Sequence, residues 1–155
     1  MRRLSGVLLA GALAMLPAFS QGDGRALAQE AQQAPKVTFD GDTALWTVAI
    51  KPDKTADFEK IIGKLKEGLT KSDKPERKQQ AAGWRIMKLT KPLPDGNVAY
   101  VHIINPVVPG ADYAVMPVLY EAFPEERQAL YEMYRGAFAQ NLSLAVGHLV
   151  SDASK

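Results

Sequence analysis

Asn97-Val98-Ala99-Tyr100-Val101-His102-Ile103-Ile104-Asn105 reads as a strand with two apolar faces. Side chains alternate across a strand with period two. Val98, Tyr100, His102 and Ile104 therefore share one face, and Ala99, Val101 and Ile103 share the other. A sheet that meets water on one side alternates apolar with polar residues, so this one needs a cover on each side. Helices of the same chain can supply one cover. The simplest second cover is another copy of the chain.

Reading outward, Pro92-Leu93-Pro94-Asp95-Gly96 is a turn, and its Asp-Gly step predicts a hairpin to a preceding strand at Trp84–Leu89. In that strand Trp84 and Ile86 face one way, Met87 and Leu89 the other. Further back, Ala44-Leu45-Trp46-Thr47-Val48-Ala49-Ile50 is rich in β-branched and aromatic residues and stops at Lys51-Pro52, which predicts another strand. Val37-Thr38-Phe39, joined by Asp40-Gly41-Asp42, suits a short extra one. Phe58, Ile61, Ile62, Leu65 and Leu69 recur at spacings of three and four and predict a helix over Asp53–Leu69, capped by Asp53 or Thr55. Thr70–Ala82 is polar and basic, with Lys71, Lys74, Arg77 and Lys78, and reads as a loop.

After the central strand, Asp112 is placed to cap a helical piece that Pro117 interrupts. Pro124 suits the first turn of a new helix, with Glu125 and Glu126 near its positive end. Adjacent helical positions diverge by about 100°, so these two glutamates do not form a paired carboxylate site. The helix runs to about Ala139, with Leu130, Met133, Tyr134 and Phe138 as its stripe, and Leu142–Val150 follows as a final strand. The order predicts an α+β fold: a ferredoxin-like β-α-β-β-α-β sandwich over residues 43–150, with a four-stranded antiparallel sheet and helices on one face.

The rest of the chain gives the address. Met1-Arg2-Arg3, an uncharged apolar run from Leu4 to Phe19, and Ala26-Leu27-Ala28 before Gln29 are the three parts of a secretory signal peptide over residues 1–28. Ala18-Phe19-Ser20 is a second cleavage site, with Gln21 as the alternative start. The apolar run is too short, and too interrupted by Pro17, for a membrane span of about 20 residues. No stable membrane anchor is expected after cleavage, and no cysteine is present to carry lipid. Residues 29–42 read as a flexible N-terminal segment and 151–155 as a tail. The expected location is periplasmic or secreted.

The chain carries 19 Lys+Arg and 17 Asp+Glu; without Arg2, Arg3, Arg25 and Asp23 of the leader, 16 of each remain. A neutral mature protein gives no reason to expect nucleic acid. Zero cysteines exclude disulfides, thiolate metal sites and cysteine nucleophiles. No Gly-x-Ser-x-Gly elbow, phosphate-binding loop or dinucleotide fingerprint is present. His102 and His148 are the only histidines, and their separation gives no zinc spacing. Export also puts cytosolic reduced nicotinamide and flavin out of reach, so no cofactor is expected.

In its element order, from about Thr43 to Val150, the chain resembles the dimeric α+β barrel superfamily, which includes the antibiotic-biosynthesis-monooxygenase-like proteins. That resemblance implies two ferredoxin-like protomers packed sheet to sheet as a homodimer, with a pocket between each sheet and its helices. Members include cofactor-independent oxygenases, haem-degrading enzymes and proteins without known activity. The haem-degrading type uses an Asn, a Trp and a His. Trp84 and His102 are of the right types, but Ala44–Ile50 holds no asparagine.

His102 is the candidate catalytic residue, as base or proton shuttle, although a histidine satisfied at a sheet interface is the commoner use. His148 is the more ordinary surface or structural case. Trp84, Tyr100, Tyr113 and Tyr120 are the candidate ligand-binding residues, because Tyr113 and Tyr120 lie in the segment that Pro117 and Pro124 keep irregular. Trp46 reads as core. Arg85 alternates with Trp84 and points to the opposite face. The expectation is an exported homodimer binding a small apolar or aromatic molecule, with a cofactor-independent oxygenase-like step as its catalytic form. A non-catalytic assembly module and a haem-binding or haem-degrading protein are the alternatives.

Overall fold

The computed structural model describes residues 36 to 151; the expected leader over residues 1–28, the segment through Pro35 and the last four residues lie outside the described residues. Strand β1 is Thr43–Ile50, and its ladder ends where Lys51-Pro52 removes a donor. A single 3-10 turn at Pro52–Lys54 leads into α1, Thr55–Lys71, which buries Phe58, Ile61, Leu65 and Leu69 as the periodicity predicts. No side chain caps α1; Asp57 occupies its first turn instead. Gly68 is the contact residue of α1, since a Cβ there would come 2.9 Å from the Ala122 Cβ.

The basic stretch expected as a loop contains a helix, α2, Pro75–Gly83. Pro75 starts it at a position that needs no amide donor, and Glu76 sits in the first turn. Its inward residues are Arg77 and Gln80, so no apolar stripe announces it. Arg77 Nη1 donates to Gln80 Oε1 at 2.8 Å and to the Asp112 carbonyl at 3.0 Å, and Gln80 Nε2 donates to the same carbonyl at 3.0 Å. This buried polar clamp pins α2 to the loop before the next helix.

Gly83 ends α2, and β2, Trp84–Lys88, begins at once. A Cβ on Gly83 would lie 2.5 Å from the Pro106 carbonyl oxygen, so only glycine admits that close approach. The expected turn follows, with Gly96 at φ 82°, and leads to β3, Val98–Ile104. Helix α3 is Val115–Ala122. Pro117 is its third residue, in the first turn where amides have no intrahelical partner, so the proline fits inside the helix that it was expected to break. Asp112 does not cap it; its Oδ1 accepts the Ala114 and Val37 amides at 2.9 and 3.0 Å. After a 3-10 turn at Pro124–Glu126, α4 spans Arg127–Ala137 and passes without a loop into β4, Phe138–Gly147. That strand starts four residues earlier than the sequence reading placed it.

The sheet is antiparallel throughout, in the order β2-β3-β1-β4. Each β-α-β passage is thus split: β3 lies between β1 and β2, and β1 lies between β3 and β4. Register aligns side chains in rows on one face. Val146, Ala44, Ile104 and Trp84 form one row, and Leu144, Trp46, His102 and Ile86 the next. Apolar residues of all four helices cluster with this face. The opposite face exposes Leu45, Met87 and Leu89, with Val101 and Ile103 half-buried between them, while Ala49 and Ala99 are buried.

The segment before β1 is anchored from Val37 onward. Tyr113 donates its amide to the Val37 carbonyl at 2.8 Å, and Phe39 is buried with its ring centroid 5.1 Å from that of Tyr113. Val37–Phe39 forms no strand, and it packs as an irregular strap.

Candidate functional site

His102 sits mid-strand in β3, in the row that places Trp46 on one side and Ile86 on the other. The indole of Trp84 lies diagonally across and donates Nε1–H to His102 Nδ1 at 3.1 Å. Ring centroids are 5.0 Å from Trp46 and 5.8 Å from Trp84, so two tryptophans wall the imidazole. The residue is 1% exposed, and burial pushes its pKa down to about 4. Desolvation disfavours the imidazolium, leaving a neutral ring whose Nδ1 acts as an acceptor.

Tyr113 joins this cluster. Its ring is 5.3 Å from Trp84, edge-on, and its hydroxyl accepts the Val108 amide at 2.8 Å. It is fully buried, and that burial raises its phenol pKa. The structure therefore brings Trp84, His102 and Tyr113 together in a closely packed interior. The satisfied, desolvated arrangement can orient rings and hold a stable tautomer.

The other two tyrosines lie elsewhere. Tyr100 packs edge-on against Phe58 at 4.8 Å and donates its hydroxyl to Glu59 Oε1 at 2.8 Å; Lys88 Nζ reaches the same oxygen at 2.9 Å. Burial, then the bond to Glu59, raises the Tyr100 pKa, and hydrogen bonds from Lys88 and Tyr100 lower that of Glu59. Tyr120 is half-buried on α3, with the Arg127 guanidinium 5.9 Å from its ring. His148 is exposed, its Nδ1 3.6 Å from Asp42 Oδ2. Among the described residues no group of three or more His, Asp or Glu side chains could hold a metal ion.

Space for a ligand opens beside the cluster. A cleft of about 400 Å³ lies between α1 and the edge strand β2, with Ile62, Leu65, Leu69, Trp84 and Ile86 among its lining and Lys66 and Arg85 beside them. Its volume falls in the range of small-molecule sites. Trp84 is the one expected ligand-binding residue that lines it. Arg85 alternates with Trp84, and its register with Ile103 sets it on the open face of the sheet; it borders the cleft only at the margin that β2 forms. Sequence reasoning missed Ile62, Leu65, Leu69 and Ile86 as lining, because a helix stripe beside an edge strand has the same periodicity as one beside a central strand. The available signal was the five-residue length of β2, too short to cover the helix above it.

Comparison against protein-family models, curated proteins and solved structures returned no match in any of the three.

Proposed function

We propose that this is an exported, ligand-binding homodimer of ferredoxin-like protomers, paired through their open sheet faces, with a small apolar or aromatic molecule seated between α1 and β2. The α1–β2 cleft carries the reading: it is of small-molecule size, it has an apolar floor, and it lies between helix and sheet with Trp84 in its wall. The split β-α-β connectivity, with β4-β1-β3-β2 read from the other edge, supports the ferredoxin-like assignment. Leu45, Met87 and Leu89 on the open face support pairing with a second copy. Among the described residues no helix is long and apolar enough to cross a membrane.

Binding is favoured over turnover. A cofactor-independent step through His102 needs that imidazole to reach a ligand, and both tryptophans stand in the way. Haem ligation meets the same walls. The test is a titration with the neutral fluorescent probe N-phenyl-1-naphthylamine. One probe per protomer is expected to bind, and Ile62→Trp, which fills the cleft from a half-buried position, is expected to abolish it. No binding, or binding indifferent to Ile62→Trp, overturns the ligand reading. A dimer without binding would favour the second reading, an assembly module, which the filled interior around His102 supports.

A further inference from the structure

Grooves beside the helices differ in charge. In the groove of about 350 Å³ between α1 and α3, Lys71 is paired with Glu67 at 2.8 Å and Lys74 with Glu121 at 2.8 Å. In the groove between α1 and α4, also about 360 Å³, Lys64 is paired with Glu126. In both, each lysine of the lining has a carboxylate partner. The α1–β2 cleft differs: among the described residues, neither Lys66 nor Arg85 has a carboxylate within ion-pair distance, and no Asp or Glu lines the cleft.

The strand contributes a further donor. Leu89 gives its amide to Ala99, and Asn105 gives its amide to Gly83, so odd-numbered residues of β2 make the ladder bonds to β3. The Ile86 amide therefore points away from β3, toward the open margin of the sheet where the cleft lies. Two cations and one outward amide stand beside an apolar floor of Ile62, Leu65, Leu69 and Trp84.

We propose that the cleft selects an apolar carboxylate, a molecule with a hydrophobic or aromatic body and one carboxylate at its end, which Lys66 and Arg85 hold at the rim. This rests on the cleft being the ligand site. The body displaces water from the apolar floor, and the carboxylate accepts charge-assisted hydrogen bonds that a neutral group of the same shape cannot match. Both cations are exposed, so their replacement leaves the core untouched.

The experiment compares 1-naphthoate with the neutral 1-naphthalenemethanol, by calorimetry on the full chain, on the Lys66→Gln/Arg85→Gln double variant and on Ile62→Trp. The naphthoate is expected to bind about tenfold or more tightly than the alcohol in the unaltered chain, an advantage the double variant loses. Its affinity is also expected to fall as salt is raised while that of the alcohol holds. Equal binding of both probes, unchanged in the double variant, overturns carboxylate selection and leaves the ligand site standing. Failure of both probes to bind overturns the site itself. Naphthoate binding that survives Ile62→Trp places the anion elsewhere and overturns the proposal.

Discussion

Leu45 and Trp46 are neighbours in β1, and they meet opposite surroundings. Trp46 packs against His102 under the helices, whereas Leu45, on the other face, is 43% exposed. The two faces of this sheet carry similar residue types, and only one is covered by helices of its own chain, over β1, β2 and β3; Leu144 and Val146 of β4, in the same rows, stay 56% and 41% exposed. Apolar content therefore tells little about which face is the core; the helices decide that. What is left on the second face is surface that a partner copy would remove from water.

The contrast can be broken most severely from the covered side. Phe58→Ala removes a fully buried ring from the cluster with Val48, Ile50 and Tyr100, and is expected to lower the unfolding free energy by about 3–5 kcal/mol in denaturant titrations. A loss under about 1 kcal/mol would mean that this face is not the tightly packed one.

His102 tests the same face by pH. Its folded pKa of about 4 lies below the ordinary 6.5, so between those values the unfolded chain binds the proton and the folded one does not. Stability is then expected to fall by roughly 3 kcal/mol as pH drops from about 6.5 to 4. His102→Gln keeps an acceptor for the Trp84 indole and should flatten that slope. An unchanged slope would assign the acid sensitivity to other groups.

The open face gives the smallest effect on folding and the sharpest on assembly. Leu45→Glu is expected to change protomer stability by no more than about 0.5 kcal/mol, as exposed substitutions do. Light scattering should nevertheless show it monomeric where the unaltered chain is dimeric. A monomer in both cases would remove the argument for a sheet-paired copy.

Strands β1, β2 and β3 and helix α1 were legible because their signals are periodic and local: alternation at Val98–Ile104, and three-and-four spacing from Phe58 to Leu69; the first four residues of β4 were not, since Phe138 continues the helix stripe. Helix α2 was not, because its buried side is Arg77 and Gln80, whose partner is the Asp112 carbonyl more than 30 residues away. Pro117 was misread for a positional reason: a proline breaks a helix interior but not a first turn, and the start at Val115 depends on tertiary contacts. Among the candidate site residues, the neighbourhood of Trp84, His102 and Tyr113 followed only in part from strand facing. The separation of Tyr100 toward Glu59 and Tyr120 toward Arg127 depends on helix placement that no short window encodes. The cleft was least legible, since it exists where a strand is too short.

The passage from α4 to β4 has one more consequence. Ala137 closes the helix, its carbonyl accepts the Lys51 amide, and Phe138 is already paired with Ile50. No spare residue separates a period of 3.6 from a period of 2. An insertion of one residue there would either rotate the helix stripe by about 100° against the sheet or send the strand's side chains to the opposite face, unless it were taken up as a bulge like those that leave Ala139 and Leu142 without a partner on β1. Length at that junction is thus a constraint beside chemistry: many side chains would serve at Gly136 or Ala139, while a change in the count of residues must be absorbed by the strand's bulges.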